Sequence, residues 1–314
     1  MPHPLFARQT VFILILLALA LAAPFAVYPV FLMKGLCFAL FASAFDLLLG
    51  HVGLLSFGHA MFFGFSSYVT AYAAKELGMP PEVAILAGVA VAVILGAVVG
   101  GLAIRRQGIY FAMITLAMAQ LMYFVAIQAP FTHGEDGIQG VPQGKLFGII
   151  PLSDSLALYY VVLAVFILAL AALHRIIQSP FGLVLKAIRD NEPRAISLGY
   201  SVERYKLLAF VLSAGFAGLA GAVKCLVFQL ASLTDVHWHA SGEVVLMTLL
   251  GGVGTLFGPT VGAFLVVSIQ NTLAEAGSWV TIIQGAIFVA CVLTFRRGIV
   301  GTASSWFAKR GISV

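Results

Sequence analysis

Long, almost uninterrupted apolar runs recur along the chain, separated by short polar or glycine-rich joints. They cover about 10–33, 35–50, 54–74, 82–104, 108–130, 155–174, 207–228, 243–256, 259–274 and 279–296. A helix crossing the hydrocarbon core needs about 20 apolar residues, so the pattern predicts an all-α, polytopic integral membrane protein with about ten transmembrane helices. The runs 35–50 and 243–256 are under-length and each stops at a glycine cluster, which predicts broken or re-entrant segments. A membrane β-barrel would show strands that alternate polar and apolar positions, whereas 11–33 and 83–104 are continuously apolar. The first run has the apolar core of a signal peptide, but Pro24 would follow the cut and the run continues to Met33, so it is retained as a span.

Composition sharpens this picture. The 314 residues are 61% hydrophobic and 9% charged, which leaves too little polar surface for a soluble enzyme. Residues 1–314 are expected to form a single transmembrane domain in the lipid bilayer. Cys37, Cys225 and Cys291 lie inside apolar runs without metal-type spacing and are expected to pack. The net charge of +5 marks topology rather than a nucleic-acid partner. With the amino terminus inside, thirteen of the seventeen Lys and Arg fall on the cytoplasmic side, and only Lys34, Lys75, Lys145 and Lys224 fall outside. That asymmetry predicts a multi-pass protein with both termini cytoplasmic, and Asp235 and Glu243 join the outer loops.

Two loops are long. Residues 131–154 are turn-rich and expected outside, and 175–206 carries the densest charge and is expected inside. Within the latter, Ser179-Pro180 predicts a helix start. An apolar stripe of Phe181, Leu183, Val184, Ala187 and Ile188 follows, with Lys186, Arg189 and Asp190 facing elsewhere. Pro193 is expected to break this helix, and a second short one to carry Ala195, Ile196 and Leu198 to Gly199. Such a pair of amphipathic helices suits either docking of a cytoplasmic partner or a resting place among lipid headgroups.

The chain also echoes itself: 50–58 reads GHVGLLSFG and 251–258 reads GGVGTLFG. Glycine-broken spans at corresponding places in two halves point to a transport route. Asp46, Gly50, Gly53, Ser56, Gly58, His59, Gly251, Gly254 and Gly258 are therefore candidate translocation residues, with Ser66 and Ser67 nearby. For His59, hydrogen bonding to a neighbouring helix is the competing role. His237-x-His239 with His133 lacks the pattern of a metal site, and no catalytic signature is present. The stretch 251–258 lacks the Lys-Ser/Thr of a P-loop, and Phe257 stands where a dinucleotide fingerprint needs glycine. No cofactor is expected on this chain, so any nucleotide is bound by another one.

FDLLLGHVGLLSFGHAMFFGFSSY (45–68), RRQGIYFAMITLAMAQ (105–120), the block 179–223 and LLGGVGTLFGPTVGAFLV (249–266) resemble the permease subunits of branched-chain amino acid ABC importers of the LivM-like type. The resemblance implies a bacterial inner-membrane subunit with no enzymatic activity of its own. Its implied partners are a homologous second permease, two cytoplasmic ATP-binding subunits that use ATP, and a periplasmic substrate-binding protein. It also implies that 175–206 is the cytoplasmic coupling loop, with Lys186, Ala187, Arg189, Asp190, Glu192, Ala195 and Gly199 as coupling residues. Glu192-x-x-Ala195-x-x-x-Gly199 is similar to the Glu-Ala-Ala…Gly loop of ABC permeases, although Pro193 and Arg194 replace two alanines and the glycine comes one position late. FGFSSY stands where the family more often ends in Gly-Ala-Tyr, and related permeases import urea or short amides. An ion-coupled secondary transporter using Asp46 is the alternative from another class.

Overall fold

The computed structural model describes residues 17–273 together with 282–283, 285–286, 289 and 298–302. Its helices are α1 (Pro29–Val52), α2 (His59–Lys75), α3 (Pro81–Ala103), α4 (Ile109–Gln128), α5 (Ser155–Gln178), α6 (Pro180–Asp190), α7 (Glu192–Ser197), α8 (Val202–Phe228), α9 (Leu233–Val236), α10 (Trp238–Gly251) and α11 (Gly258–Thr272). Among the described residues, α1, α3, α4, α5 and α8 are long and apolar enough to cross a membrane.

Several boundaries differ from the hydropathy reading. Residues 35–50 are not an under-length span: they belong to the 24-residue helix α1. The break lies upstream, where a 3-10 turn at Ala23–Phe25 precedes Pro29, which opens α1 with its N–H absent and its φ already helical. Gly35 lies inside α1 and admits the Phe264 ring against the backbone. The expected span 54–74 becomes helical only at His59. The region 243–256 is under-length as expected, and 259–274 is short as well. Helices α10 and α11 have 14 and 15 residues, roughly 21–22 Å at 1.5 Å per residue, against about 30 Å of hydrocarbon. The expected span 279–296 and the first residues of 10–33 lie largely outside the described residues.

Helix α8 is central, packed on α1, α2 and α3. The buried face of α3 repeats small residues every four positions: Ala84, Gly88, Ala92, Gly96 and Gly100. Gly96 meets Ala214 and Val211 of α8, and Gly218 meets Ala92 in return. Small residues at this spacing let helix backbones approach where lipid removes the hydrophobic drive for association. Helices α8 and α2 approach closely at Gly221, where an added Cβ would fall on the Phe63 carbonyl of α2.

Short antiparallel ladders tie the loops. Ile138–Gln139 (β1) pairs with Leu230–Ala231 (β4), Ile138 opposite Ala231. Lys145–Leu146 (β2) pairs with Ile150–Pro151 (β3), Lys145 opposite Pro151. Thus 131–154 is an ordered loop, bound through β1 to the end of α8.

Candidate coupling site and translocation residues

The two glycine echoes meet in space. Helix α1 ends at Gly53 in the left-handed region (φ 82°), and Gly254, in the link between α10 and α11, has φ 74°. Both turns need a conformation that glycine adopts without steric cost. Asp46, one turn before Gly50, accepts the Gly254 N–H on Oδ1 at 2.8 Å. A Cβ on Gly50 would lie 2.6 Å from the Gly254 nitrogen. Asp46 also approaches His51, whose Nδ1 lies 3.9 Å from its Oδ2.

A third element enters the junction. Arg189, at the end of α6, donates from Nη1 to the Gly50 carbonyl, and its stem covers Gly53, whose added Cβ would meet Arg189 Cγ at 2.9 Å. Its Nε and Nη2 reach Asp190 at 3.3 and 3.2 Å. Arg189 therefore does not face away from the bundle, as its place on the polar side of the helix suggested; its length carries the guanidinium back onto the end of α1. Beside it, Glu192 holds Lys206 at 2.7 Å. A cavity of about 400 Å³ lies between Gly53, Gln107, Gly108, Arg189, Asn191 and Lys206.

The helices that carry these groups are locally encoded. Ser179 caps α6, its Oγ accepting the Gly182 N–H at 3.4 Å, and Pro180 occupies the first turn. Asn191 ends α6 and caps α7 by accepting the Arg194 N–H at 3.0 Å. The break thus falls at Asn191, and Pro193 is not a breaker: it sits in the first turn of α7, where a missing N–H costs nothing. The buried face of α6 is Gly182, Leu185 and Ile188. Leu183 and Ala187 are exposed, which corrects their place in the apolar stripe, and Lys186 is half-buried. Ala195 is only 2% exposed, packed with Ile188 and Val202, so it supports the loop from within and presents no surface. Gly199 takes φ 88° after α7. The face left open carries Leu183, Ile196 and Leu198 at 62%, 57% and 69% exposure, with Tyr200 beside them.

His59 opens α2 wholly buried. Ser213 Oγ spends its single proton on the Ala44 carbonyl at 2.5 Å, so it accepts from His59 Nε2 at 2.8 Å. Edge-on rings of Phe45, Phe62 and Phe210 surround the imidazole, and its Nδ1 has no partner. Ser56 Oγ accepts the Gly58 N–H at 3.2 Å, and Ser241 of α10 accepts the Ala60 N–H at 2.9 Å. Ser66 donates to the Gly218 carbonyl at 2.7 Å. Gly251 and Gly258 touch each other at the base of the α10–α11 hairpin. The candidate translocation residues are therefore brought together as helix-end and helix-contact groups. Asp46, Gly50, Gly53 and Gly254 form one cluster with Arg189; His59 belongs to another with Ser213.

Sequence reasoning missed the buried ion pair between Lys224 of α8 and Asp235 of α9, 2.6 Å long and with side chains 10% and 9% exposed. The sequence places Lys224 on the outer side within the run 207–228 and Asp235 in an outer loop, together with Glu243, which is inside α10 and accepts from Gln270 at 3.0 Å. Ser232-x-x-Asp235 makes a capping box, a pattern visible in the sequence. Among the described residues no group of three His, Cys, Asp or Glu could hold a metal ion.

Known proteins of similar sequence are permeases. The chain is 25% identical to the high-affinity branched-chain amino acid transport system permease protein LivM of Escherichia coli (strain K12), over 93% of this chain and 75% of the relative. It is 26% identical to the LivM of Salmonella typhimurium (strain LT2), with the same coverage. The ribose import permease protein RbsC of Escherichia coli (strain K12) is 28% identical over 66% of each chain. No solved structure gives a significant match. The family model described as branched-chain amino acid transport system / permease component matches residues 28–292. The α1–α2 break, the α10–α11 hairpin and the loop carrying Arg189 all fall within that match, and the chain belongs to this family of membrane-spanning permease components.

Proposed function

We propose that the chain is the membrane-spanning permease subunit of an ATP-driven importer of branched-chain or related amino acids. It works in the bacterial inner membrane with both termini cytoplasmic. ATP is bound and hydrolysed by two separate cytoplasmic subunits. A homologous second permease completes the pathway and a periplasmic binding protein delivers the substrate.

The observation that carries this reading is the hydrogen bond from Arg189 to Gly50. Helices α6 and α7 and the turn that follows leave Leu183, Ile196, Leu198 and Tyr200 exposed, apolar groups suited to a protein partner. From the same loop, Arg189 grips the junction where α1 and the α10–α11 link meet. Displacement of the docking loop is thereby delivered as force on two glycine turns, which bias the half-length helices between inward-open and outward-open arrangements. Asp46 serves as the fastener of that junction, since its Oδ1 is occupied by Gly254 N–H.

The test is uptake of labelled leucine by proteoliposomes holding the complete complex with its loaded binding protein. Uptake that requires lumenal ATP supports the reading. Leucine uptake driven by a proton or sodium gradient through this chain without ATPase subunits would overturn it in favour of a secondary transporter. ATP-dependent uptake of ribose but not leucine would keep the importer and remove the amino acid.

A further inference from the structure

A cavity of about 370 Å³ lies toward the other end of α1 from Arg189. Phe38 of α1, Phe63 of α2, Asp235 and His237 around α9, and His239 and Glu243 of α10 line it. Phe38 stands fourteen residues before the end of α1, roughly 20 Å along the helix. The two phenyl rings, with centroids 5.9 Å apart, and Ala240 give the cavity its apolar lining, and Thr234, Asp235, His237, His239 and Glu243 supply polar groups.

The charges are asymmetric in a telling way. Asp235, 91% buried as the complement of its 9% exposure, uses Oδ2 to hold Lys224 at 2.6 Å and Ser232 Oγ at 3.3 Å. Its Oδ1 has no hydrogen bond among the described residues. Glu243 uses Oε1 for Gln270 at 3.0 Å and faces His239 Nδ1 at 3.8 Å, and its Oε2 is likewise free among the described residues. Lys34 stands one turn before Phe38 on the same face of α1 and is half-buried. It lies within electrostatic reach of Glu243 and makes no ion pair among the described residues. Burying charge without a partner is strongly unfavourable. Two carboxylates thus line a cavity at the small end of the range for ligand pockets, about 300–1,000 Å³, and the Lys34 ammonium stands one helical turn from its Phe38 wall.

We infer that this cavity is a holding chamber for one zwitterionic α-amino acid with an apolar side chain. The α-ammonium lies between Asp235 Oδ1 and Glu243 Oε2, the α-carboxylate turns toward Lys34, and the side chain rests on Phe38 and Phe63. This assignment rests on the importer reading above, and it adds where in the chain the substrate pauses and what selects it there.

The test uses the complete complex in proteoliposomes at saturating loaded binding protein, with leucine and valine as probes. Glu243→Gln is expected to lower leucine uptake about tenfold, the loss of a hydrogen bond to a charged group, while ATP hydrolysis stimulated by the loaded binding protein persists. Phe38→Trp narrows the chamber and is expected to lower the leucine-to-valine uptake ratio roughly tenfold, the discrimination of one methylene in a close-fitting pocket. Phe38→Ala is expected to move that ratio the other way. Should Glu243→Gln fail to assemble, the ratio in the two Phe38 variants decides, because a general folding defect lowers both substrates alike. Wild-type uptake in Glu243→Gln together with wild-type ratios in the Phe38 variants would overturn the chamber and leave the importer reading intact. A wild-type complex that imports no amino acid would overturn both.

Discussion

Removing the Arg189 guanidinium should uncouple ATP hydrolysis from transport. The side chain makes one charge-assisted hydrogen bond into the bundle, to the Gly50 carbonyl, and a neighbouring pair with Asp190. Hydrogen bonds to charged groups contribute about 1.5–3 kcal/mol. The Arg189 side chain is 40% exposed, so solvent screening favours the lower end, about 1.5 kcal/mol. As a coupling energy between docking loop and glycine junction, that is roughly tenfold in the equilibrium passed from one to the other. Arg189→Ala is therefore expected to cut leucine imported per ATP hydrolysed about tenfold, with hydrolysis itself maintained. Asp190→Asn is the control, because the exposed pair it removes contributes about 0.5 kcal/mol, roughly twofold. Gly53→Ala keeps the charge but drives a methyl to 2.9 Å from Arg189 Cγ and demands a left-handed alanine, so it should reproduce the Arg189→Ala ratio. The assay is parallel measurement of leucine uptake and phosphate release in proteoliposomes. Wild-type stoichiometry in both Arg189→Ala and Gly53→Ala would mean that the Arg189–Gly50 bond carries no coupling.

Ala187→Cys and Ile196→Cys should crosslink to an ATPase subunit in membranes, whereas buried Ala195→Cys should not; crosslinking at Ala195 alone would place the docking face on the wrong side of α7. Lys224→Met or Asp235→Leu alone leaves a buried charge unpaired and should destabilise the protein by about 3–5 kcal/mol, with the double variant recovering most of the loss; thermal unfolding in detergent checks this. His59→Phe keeps the aromatic packing and loses one hydrogen bond to Ser213, about 1 kcal/mol, so uptake should stay within about twofold, and abolished uptake with normal thermal stability would return His59 to the route. Gly221→Ala forces a Cβ onto the Phe63 carbonyl and should sharply lower the thermal midpoint, while Gly242→Ala, with open space around it, should not.

Much of this was legible in the chain. Apolar run length predicted membrane helices because a bilayer demands it, and Ser179-Pro180 marked the start of α6 because a cap and a proline act locally. The glycine echo identified both turns, but not that they touch: 208 residues separate Asp46 from Gly254, and local pattern carries no information over that distance. Arg189 was misread for a different reason. Helical periodicity assigns a face to Cα and Cβ, and a long side chain can carry its charged end to the other. Charge counting likewise set Lys224, Asp235 and Glu243 on the outer side as separate charges, because it scores each charge alone and cannot credit the partner that makes burial tolerable. Ala195 illustrates the reverse limit: a motif marked it as functional, and packing makes it a support.

The bond between Asp46 and Gly254 also has a consequence for how the protein is made. At about 5–20 residues per second, roughly 10–40 s separate synthesis of the aspartate from that of its partner. Throughout that interval Asp46, near the end of α1, has His51 beside Oδ2 but no donor for Oδ1. The nascent chain therefore carries a buried acceptor whose hydrogen-bond partner is made only with the second half. Chains truncated before residue 254 should be degraded faster than chains truncated just after it.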